Sequence, residues 1–268
     1  MIGHWGLEQN PFTGRDSTYV SLPSHDEAVA RLVYAIESSQ PRAILVAPAG
    51  SGKSAVLRQA FRQARSPHRR LVSVNDPGNG DLLLAILAER LGRPPGREPS
   101  RLIAWRALER SLRVFSLEGV QVVLAIDDCN RTPGAAGSFQ VDSLELLGST
   151  LHQRFTVIQL ARSMHEHRSE ATDPWSFAIN LRALTRTQTE HFLTAKLAGV
   201  GAAGPLFTPR AITRLHSLSS GIPSKVEHLA TDCLVAGAIR GLAIVPPELV
   251  DEVARQCSAD LIGAGDRS

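Results

Sequence analysis

The chain has 268 residues and a mass of 28.9 kDa, enough for one large domain or for a core with a smaller appendage. Hydrophobic residues make up 43% and charged residues 21%, which excludes a fibrous or a bulk-disordered chain. The formal charge of +3 is too mild to indicate nucleic-acid binding by itself. Only Lys53, Lys196 and Lys225 among the 29 basic residues are lysine, so arginine dominates.

The sequence carries no signal for export or for membrane insertion. No apolar stretch is long enough to span a bilayer, and residues 1–12 lack the basic start and apolar run of a signal peptide. The cysteines, Cys129, Cys233 and Cys257, are too scattered for a disulfide framework or a C-x-x-C metal site. We therefore expect a cytoplasmic protein without a membrane span.

Short apolar runs alternate with helical patterns through the first two thirds of the chain. Strands are predicted at 43–46, 71–74, 120–126, 155–160 and 177–181. Ser24 and Glu27 form a capping-box pattern at the start of the first long helix. Further helices are predicted at 54–65, 82–91, 101–117 and 142–152. This alternation predicts an α/β fold, with a parallel sheet as the middle of three layers.

The strand pattern stops after about residue 184. Four helix starts are indicated beyond that point, by a capping-box pattern and by prolines at first helical positions: Thr187 with Glu190, Thr208 with Pro209, Pro223, and Pro247 after Pro246. The sequence therefore predicts a core domain over residues 1–184, a small all-helical domain over 185–262 and a flexible tail over 263–268.

Residues 47–54, Ala-Pro-Ala-Gly-Ser-Gly-Lys-Ser, lie between a predicted strand and a predicted helix and form a P-loop. In such a loop, backbone N–H groups and the helix N-terminus point at phosphate oxygens, and glycines allow the close approach. Lys53 is expected to reach the β- and γ-phosphates and to act in catalysis, and Ser54 to hold Mg²⁺. The predicted nucleotide ligands are Pro48, Ala49, Gly50, Ser51, Gly52, Lys53, Ser54 and Ala55.

An apolar strand ending in two acids follows about 70 residues later, at 122–128. Asp127 is predicted to orient Mg²⁺, and Asp128 occupies the place of the hydrolytic carboxylate that activates water. Most P-loop ATPases with this pair of motifs have glutamate at the position of Asp128. Because aspartate is one methylene shorter, its carboxylate lies further from the water, and we expect slow catalysis.

With these motifs, the chain resembles the AAA+ ATPases of the general secretion pathway protein A (ExeA-like) group. The similarity rests on residues 5–7, 10–12 and 24–28 and on the segments 206–208 and 221–223, the last reading Gly-Ile-Pro. The resemblance implies an AAA+ core followed by a helical lid, with ATP and Mg²⁺ at their junction. It also implies that the N-terminal segment wraps the adenine and that Pro223 begins the lid helix of the second sensor.

Several positions depart from the family pattern. Ser224 takes the place of the second-sensor arginine, so Lys225 is the neighbouring candidate cation, with a solvated lysine as the simpler interpretation. The first sensor falls on Arg162 or Ser163, and no arginine occupies the usual finger position before the fifth strand. Arg162 and Arg168 are the candidate replacements. These departures predict degenerate hydrolysis motifs.

The sequence thus predicts a weak ATPase that couples nucleotide state to the orientation of core and lid and to protein assembly. One alternative is a nearly inactive ATP-dependent switch or scaffold. Another is a DNA-associated regulator of the transposition type, for which the arginine content is weak support. The expected partners are ATP and ADP, further copies of the chain and an unidentified protein, with nucleic acid a weaker candidate.

Overall fold

The computed structural model describes residues 1–12, 19–92, 100–127, 141–151, 154–162 and 177–264. Two compact units divide the chain. The α/β unit comprises His25–Ala49 and Lys53–Leu181, and the helical unit comprises Met1–Ser24, Gly50–Gly52 and Arg182–Ser268. Three residues of the P-loop therefore cluster with the helical unit.

The α/β unit is built on five parallel strands in the order β2-β3-β4-β1-β5. These strands are β1 (Arg42–Val46), β2 (Arg69–Asn75), β3 (Gln121–Asp127), β4 (Phe155–Ala161) and β5 (Phe177–Asn180). Every residue of β1 and β4 is buried, as is β3 up to its last residue. Strands covered on both faces read as continuous apolar runs, and the α/β prediction from those runs is confirmed.

Within the described residues, the helices are α1 (Ile2–Trp5), α2 (Pro23–Glu37), α3 (Lys53–Gln63), α4 (Gly80–Arg90), α5 (Arg101–Leu117), α6 (Val141–Thr150), α7 (Arg186–Ala198), α8 (Pro209–Ser219), α9 (Pro223–Ile239) and α10 (Pro247–Ala264). Helix α2 begins with a proline at its first position, where a missing N–H costs nothing. None of these described helices is long and apolar enough to cross a membrane.

The helical unit gathers α1 and α7–α10 around one apolar core. Trp5 lies in that core, and its indole N–H donates to the carbonyl of Leu234 on α9 at 2.8 Å. Gly237, also on α9, makes room for the indole, since a Cβ there would lie 2.9 Å from Trp5 Cζ2. The N-terminal segment, which the sequence places with the core domain, thus packs with the helices because Trp5 anchors it there.

The helices of this unit begin largely where the sequence indicates. Thr208 caps α8, its hydroxyl accepting from the third helical N–H at 3.1 Å. Helix α7, however, is capped by a box of Thr185 and Gln188, two residues before the predicted pair of Thr187 and Glu190. Thr185 has the extended backbone that a capping residue needs, whereas Thr187 already lies inside the helix.

Candidate nucleotide-binding site

The P-loop leaves the carboxyl end of β1, a strand paired on both sides by β4 and β5. Its first residue is fixed to β4, because the N–H of Ala47 donates to the carbonyl of Ala161 at 3.1 Å. On the other side, the N–H of Leu181 donates to Val46 at 2.9 Å. The base of the loop is therefore held by hydrogen bonds to both neighbouring strands.

Two glycines give the loop its path into α3. Gly50 has φ of +77° and Gly52 has φ of +90°, in the region where a residue with a side chain is strained. Between them Ser51 is buried, whereas Pro48, Ala49 and Gly50 are exposed. This geometry explains why the motif has glycine at positions 50 and 52.

Lys53 is the first residue of α3 and turns its ammonium group back onto the loop. Its Nζ donates to the carbonyls of Ala47 at 2.9 Å and Pro48 at 3.2 Å, and only 8% of the residue is exposed. A buried ammonium is stable only where acceptors surround it. The loop therefore carries a fixed positive charge beside its backbone N–H groups, which suits a polyphosphate.

Ser54 joins the P-loop to the acidic end of β3. Its hydroxyl donates to Oδ2 of Asp127 at 2.8 Å, although 73 residues separate the two in sequence. A hydroxyl oxygen and a carboxylate oxygen at this distance are the hard donors that Mg²⁺ prefers. The residues present therefore fit a magnesium ion beside the P-loop.

The start of α9 meets the P-loop at Gly50, within the helical unit. Pro223 has no N–H and the capping residue Ile222 offers no side-chain cap, so the N–H of Ser224 is the first that needs an acceptor. It donates to the carbonyl of Gly50 at 3.1 Å. A Cβ on Gly50 would lie only 1.8 Å from Ser224 Oγ. From the sequence, Ser224 was identified only as the residue in place of the second-sensor arginine. Apart from the Gly-Ile-Pro turn, no sequence pattern predicts its hydrogen bond to Gly50.

The other predicted site residues have different surroundings. Ala55 is half-buried in α3, and Pro223 is buried at the first position of α9. Lys225 is exposed and makes no hydrogen bond or ion pair within the described part of the chain. Arg162 is exposed directly after β4. Asp128, Ser163 and Arg168 lie outside the described residues.

Residues 36–168, which include the P-loop and Asp127, match the family model described as an AAA domain. The chain is also 23% identical over 248 residues to the general secretion pathway protein A of Aeromonas hydrophila. Residues 36–168 of the chain therefore form an AAA domain. The alignment with the relative covers 88% of this chain but 45% of the relative, so the chain spans less than half of that relative's length.

Solved structures show the same fold. The ORC1 protein of Aeropyrum pernix, solved with DNA, has a TM-score of 0.69 at 17% identity over 91% of this chain and 68% of that chain. Cdc6p of Pyrobaculum aerophilum has a TM-score of 0.67 at 19% identity, over 92% of this chain and 70% of that chain. The RuvB Holliday junction branch migration motor of Thermotoga maritima has a TM-score of 0.58 at 14% identity, over 92% of this chain and 73% of that chain. At such identities the similarity concerns the fold.

Proposed function

We propose that this AAA+ protein binds ATP with Mg²⁺ at its P-loop and hydrolyses the nucleotide slowly to ADP and phosphate. The observation that carries the proposal is the 2.8 Å hydrogen bond between Ser54 and Asp127. It brings a hydroxyl and a carboxylate together beside the buried ammonium of Lys53. A cation, a metal-binding oxygen pair and a glycine-rich turn are the parts that phosphoryl transfer requires.

Each residue has a distinct role in this proposal. The ammonium of Lys53 offsets the charge of the terminal phosphates, and the N–H groups of the loop orient them. Ser54 and Asp127 hold the magnesium ion. By resemblance, Asp128 positions the water that attacks, and its short side chain makes hydrolysis slow.

Nucleotide state is coupled, in this proposal, to the orientation of the core and the lid and through it to protein assembly. The support is that Gly50 belongs to the helical unit and accepts the first free N–H of α9. A loop that rearranges around phosphates moves the carbonyl of Gly50, and with it the acceptor that α9 uses. The starting point of such coupling is therefore a main-chain hydrogen bond at Ser224.

The first test is ATP binding by the purified chain, measured by calorimetry with Mg²⁺ present. Lys53→Ala removes the buried cation, and we expect at least about a tenfold weaker Kd, since charge-assisted contacts contribute about 1.5 to 3 kcal/mol. Arg58→Ala on α3 is the matched control, because Arg58 is exposed five residues further along the same helix. ATP binding that is equal in all three proteins would refute the proposal.

The second test separates the metal site from the phosphate site. Ser54→Ala and Asp127→Asn are each expected to abolish most of the gain in ATP affinity that Mg²⁺ provides. Binding of ATP in the presence of a chelator should change little, because the loop and Lys53 remain. If chelation weakens ATP binding equally in the parent and both variants, these oxygens do not hold the ion.

A nearly inactive switch or scaffold is the second candidate function. The observation favouring it is Ser224, which stands where relatives have a cation and uses its main-chain N–H on the loop. Phosphate release by Asp128→Glu distinguishes the two, since a site that is otherwise competent should hydrolyse faster with the longer carboxylate. Release that stays at background in this variant favours the switch.

A DNA-associated regulator is the third candidate. Its support is the predominance of arginine and the fold shared with an ORC1 protein that was solved with DNA. Retention on duplex DNA in the presence of ATP, falling steeply as salt rises, is the expected behaviour. Absence of retention at low salt would remove this candidate.

A further inference from the structure

The outward face of α5 carries aliphatic and cationic side chains in one exposed stripe. At 100° per residue, six exposed positions fall within about 100° of the helix circumference. These are Ile103, Arg106, Arg110, Arg113, Val114 and Leu117, called here the α5 stripe. The opposite face, with Leu108 and Leu112, is fully buried in the core of the α/β unit. The buried face of α5 therefore packs in the core, whereas the α5 stripe makes no contribution to that core.

The aliphatic members of the α5 stripe are unusually exposed. Leu117 is 90% exposed, Ile103 51% and Val114 40%. Leu82 on α4, a helix that packs against α5, is also 51% exposed. Single exposed leucines are ordinary, but several aliphatic side chains exposed on one helix face mark an interaction surface.

The cationic members are largely uncompensated. Arg113 donates to Glu109 at 2.7 Å, one turn earlier. Within the described residues, Arg106 and Arg110 make no hydrogen bond or ion pair. On α4, Asp81 pairs with Arg101 at 3.7 Å. As far as the structure describes the chain, the stripe therefore presents two guanidinium groups, those of Arg106 and Arg110, without a paired acid.

The arrangement of charge selects among possible occupants. On the helix circumference Arg110 lies between Ile103 and Leu117, whereas Arg106 and Arg113 lie together along one edge. Along the helix axis the three arginines lie between the aliphatic groups at the two ends, so cations occupy the middle of the stripe. A helix that enters a bilayer surface instead keeps its cations at the edges of the apolar face, where they reach the headgroups. Nucleic acid gains nothing from aliphatic groups at the centre of a phosphate contact. A second copy docked stripe to stripe would place arginine against arginine.

We propose that the α5 stripe binds an amphipathic helix of a partner protein that carries leucine-type residues interleaved with Asp and Glu. Such a helix offers aliphatic ridges for Ile103, Val114 and Leu117 and carboxylates for Arg106 and Arg110, both at helical spacing. Arginine suits this role because its planar guanidinium pairs with a carboxylate through two hydrogen bonds. Docking at the stripe does not depend on nucleotide binding.

The test uses the full chain and a labelled synthetic peptide of about 18 residues, long enough for a helix along α5. The peptide has leucine at every third or fourth position with glutamate between, and a second peptide has lysine for every glutamate. Fluorescence anisotropy gives the Kd of each. We expect micromolar binding of the acidic peptide and none of the lysine peptide.

Three double variants test the contribution of each kind of side chain. Arg106→Glu with Arg110→Glu should weaken binding at least about tenfold, because two attractive pairs become repulsive. Arg58→Glu with Arg62→Glu changes the net charge by the same amount at exposed positions of α3, a helix without an exposed large hydrophobic residue. Its Kd should stay within about twofold of the parent. Ile103→Ser with Leu117→Ser should also weaken binding, which attraction by charge alone would not predict.

Other outcomes overturn the inference. An equal loss in the α3 control means that overall charge, not the stripe, attracts the peptide. Phosphatidylglycerol vesicles and a short DNA duplex are tested in the same way. If either binds the parent but not the Arg106→Glu, Arg110→Glu variant, and the acidic peptide does not bind, the stripe is a membrane or nucleic-acid site. Absence of peptide binding at low salt also refutes docking. Thermal melting verifies that each variant is folded.

Discussion

The contact between Gly50 and Ser224 yields a quantitative prediction for Gly50→Ala. Gly50 has φ of +77°, and an added Cβ would lie 1.8 Å from Ser224 Oγ and 2.8 Å from Ser224 Cβ. The hydroxyl is the end of a short side chain that rotates away, but the Cβ is fixed to the first turn of α9. The substitution therefore requires either the loop or the helix to shift.

The expected cost has two parts. A residue with a side chain in the left-handed region loses about 1 to 2 kcal/mol relative to glycine. Forcing a methyl group into occupied space adds about 1 to 3 kcal/mol. We therefore expect Gly50→Ala to lower the free energy of unfolding by about 2 to 5 kcal/mol, measured by urea denaturation without nucleotide.

A double-mutant cycle isolates the contact. Ser224→Gly removes both atoms that the new Cβ meets and leaves Ile222 Cγ2 at 3.4 Å, an ordinary contact. In this background only the conformational cost of about 1 to 2 kcal/mol should remain, giving a coupling of about 1 to 3 kcal/mol. If Gly50→Ala costs the same with Ser224 and with glycine at position 224, α9 does not meet the loop at Gly50.

Three further predictions concern the helical unit. Gly221→Ala places a Cβ 2.1 Å from the main-chain oxygen of Leu184 at φ of +68°, and should cost about 2 to 5 kcal/mol by urea denaturation. Trp5→Phe removes a buried indole donor to α9 and should cost about 1 to 3 kcal/mol in the same assay. Burial, then the charge of its neighbouring aspartate, raises the pKa of the Cys233 thiol from 9.0 to about 12. Since the unfolded chain releases that proton first, stability should fall between pH 9 and pH 12, by up to about 1.4 kcal/mol per pH unit.

Two of these have a control variant, and each has a result that would contradict it. Gly241 has a similar φ of +66° but nothing within 4 Å of an added Cβ, so Gly241→Ala should cost only the conformational part. Equal losses at positions 221 and 241 would contradict the Leu184 contact. Trp5→Phe with unchanged stability means that the indole hydrogen bond contributes nothing. Cys233→Ala should flatten the alkaline fall, and identical slopes in the parent and this variant would contradict the raised pKa.

The sequence predicts the α/β unit well because its signals are local. The buried strands are mostly apolar, and the P-loop directly follows one of these apolar runs. The pairing of Ser54 with Asp127 follows from topology, since β1 and β3 both end at the same edge of a parallel sheet. A motif at each strand end was therefore enough to predict that the two residues meet.

Other features depend on contacts that no local pattern encodes. Trp5 belongs to the segment 5–7 that carries the family resemblance, but no local pattern predicts its place beside α9, where Gly237, over 230 residues away, leaves room for the indole. The choice of Thr185 over Thr187 as the cap of α7 depends on where the extended chain stops, because both residues satisfy the same pattern. Ser224 gave no positive signal, since its contribution to the loop is a main-chain N–H.

The position of β1 in the sheet has a consequence for synthesis on the ribosome. Among the described strands, β1 pairs with β4 and β5, and β4 begins at Phe155, more than 100 residues after β1 ends. At about 5 to 20 residues per second, the nascent strand waits roughly 5 to 20 s for its first neighbour. A strand with four consecutive apolar residues, 43–46, is therefore open to misassociation or to chaperone capture during that interval, and the loop that follows it is assembled late.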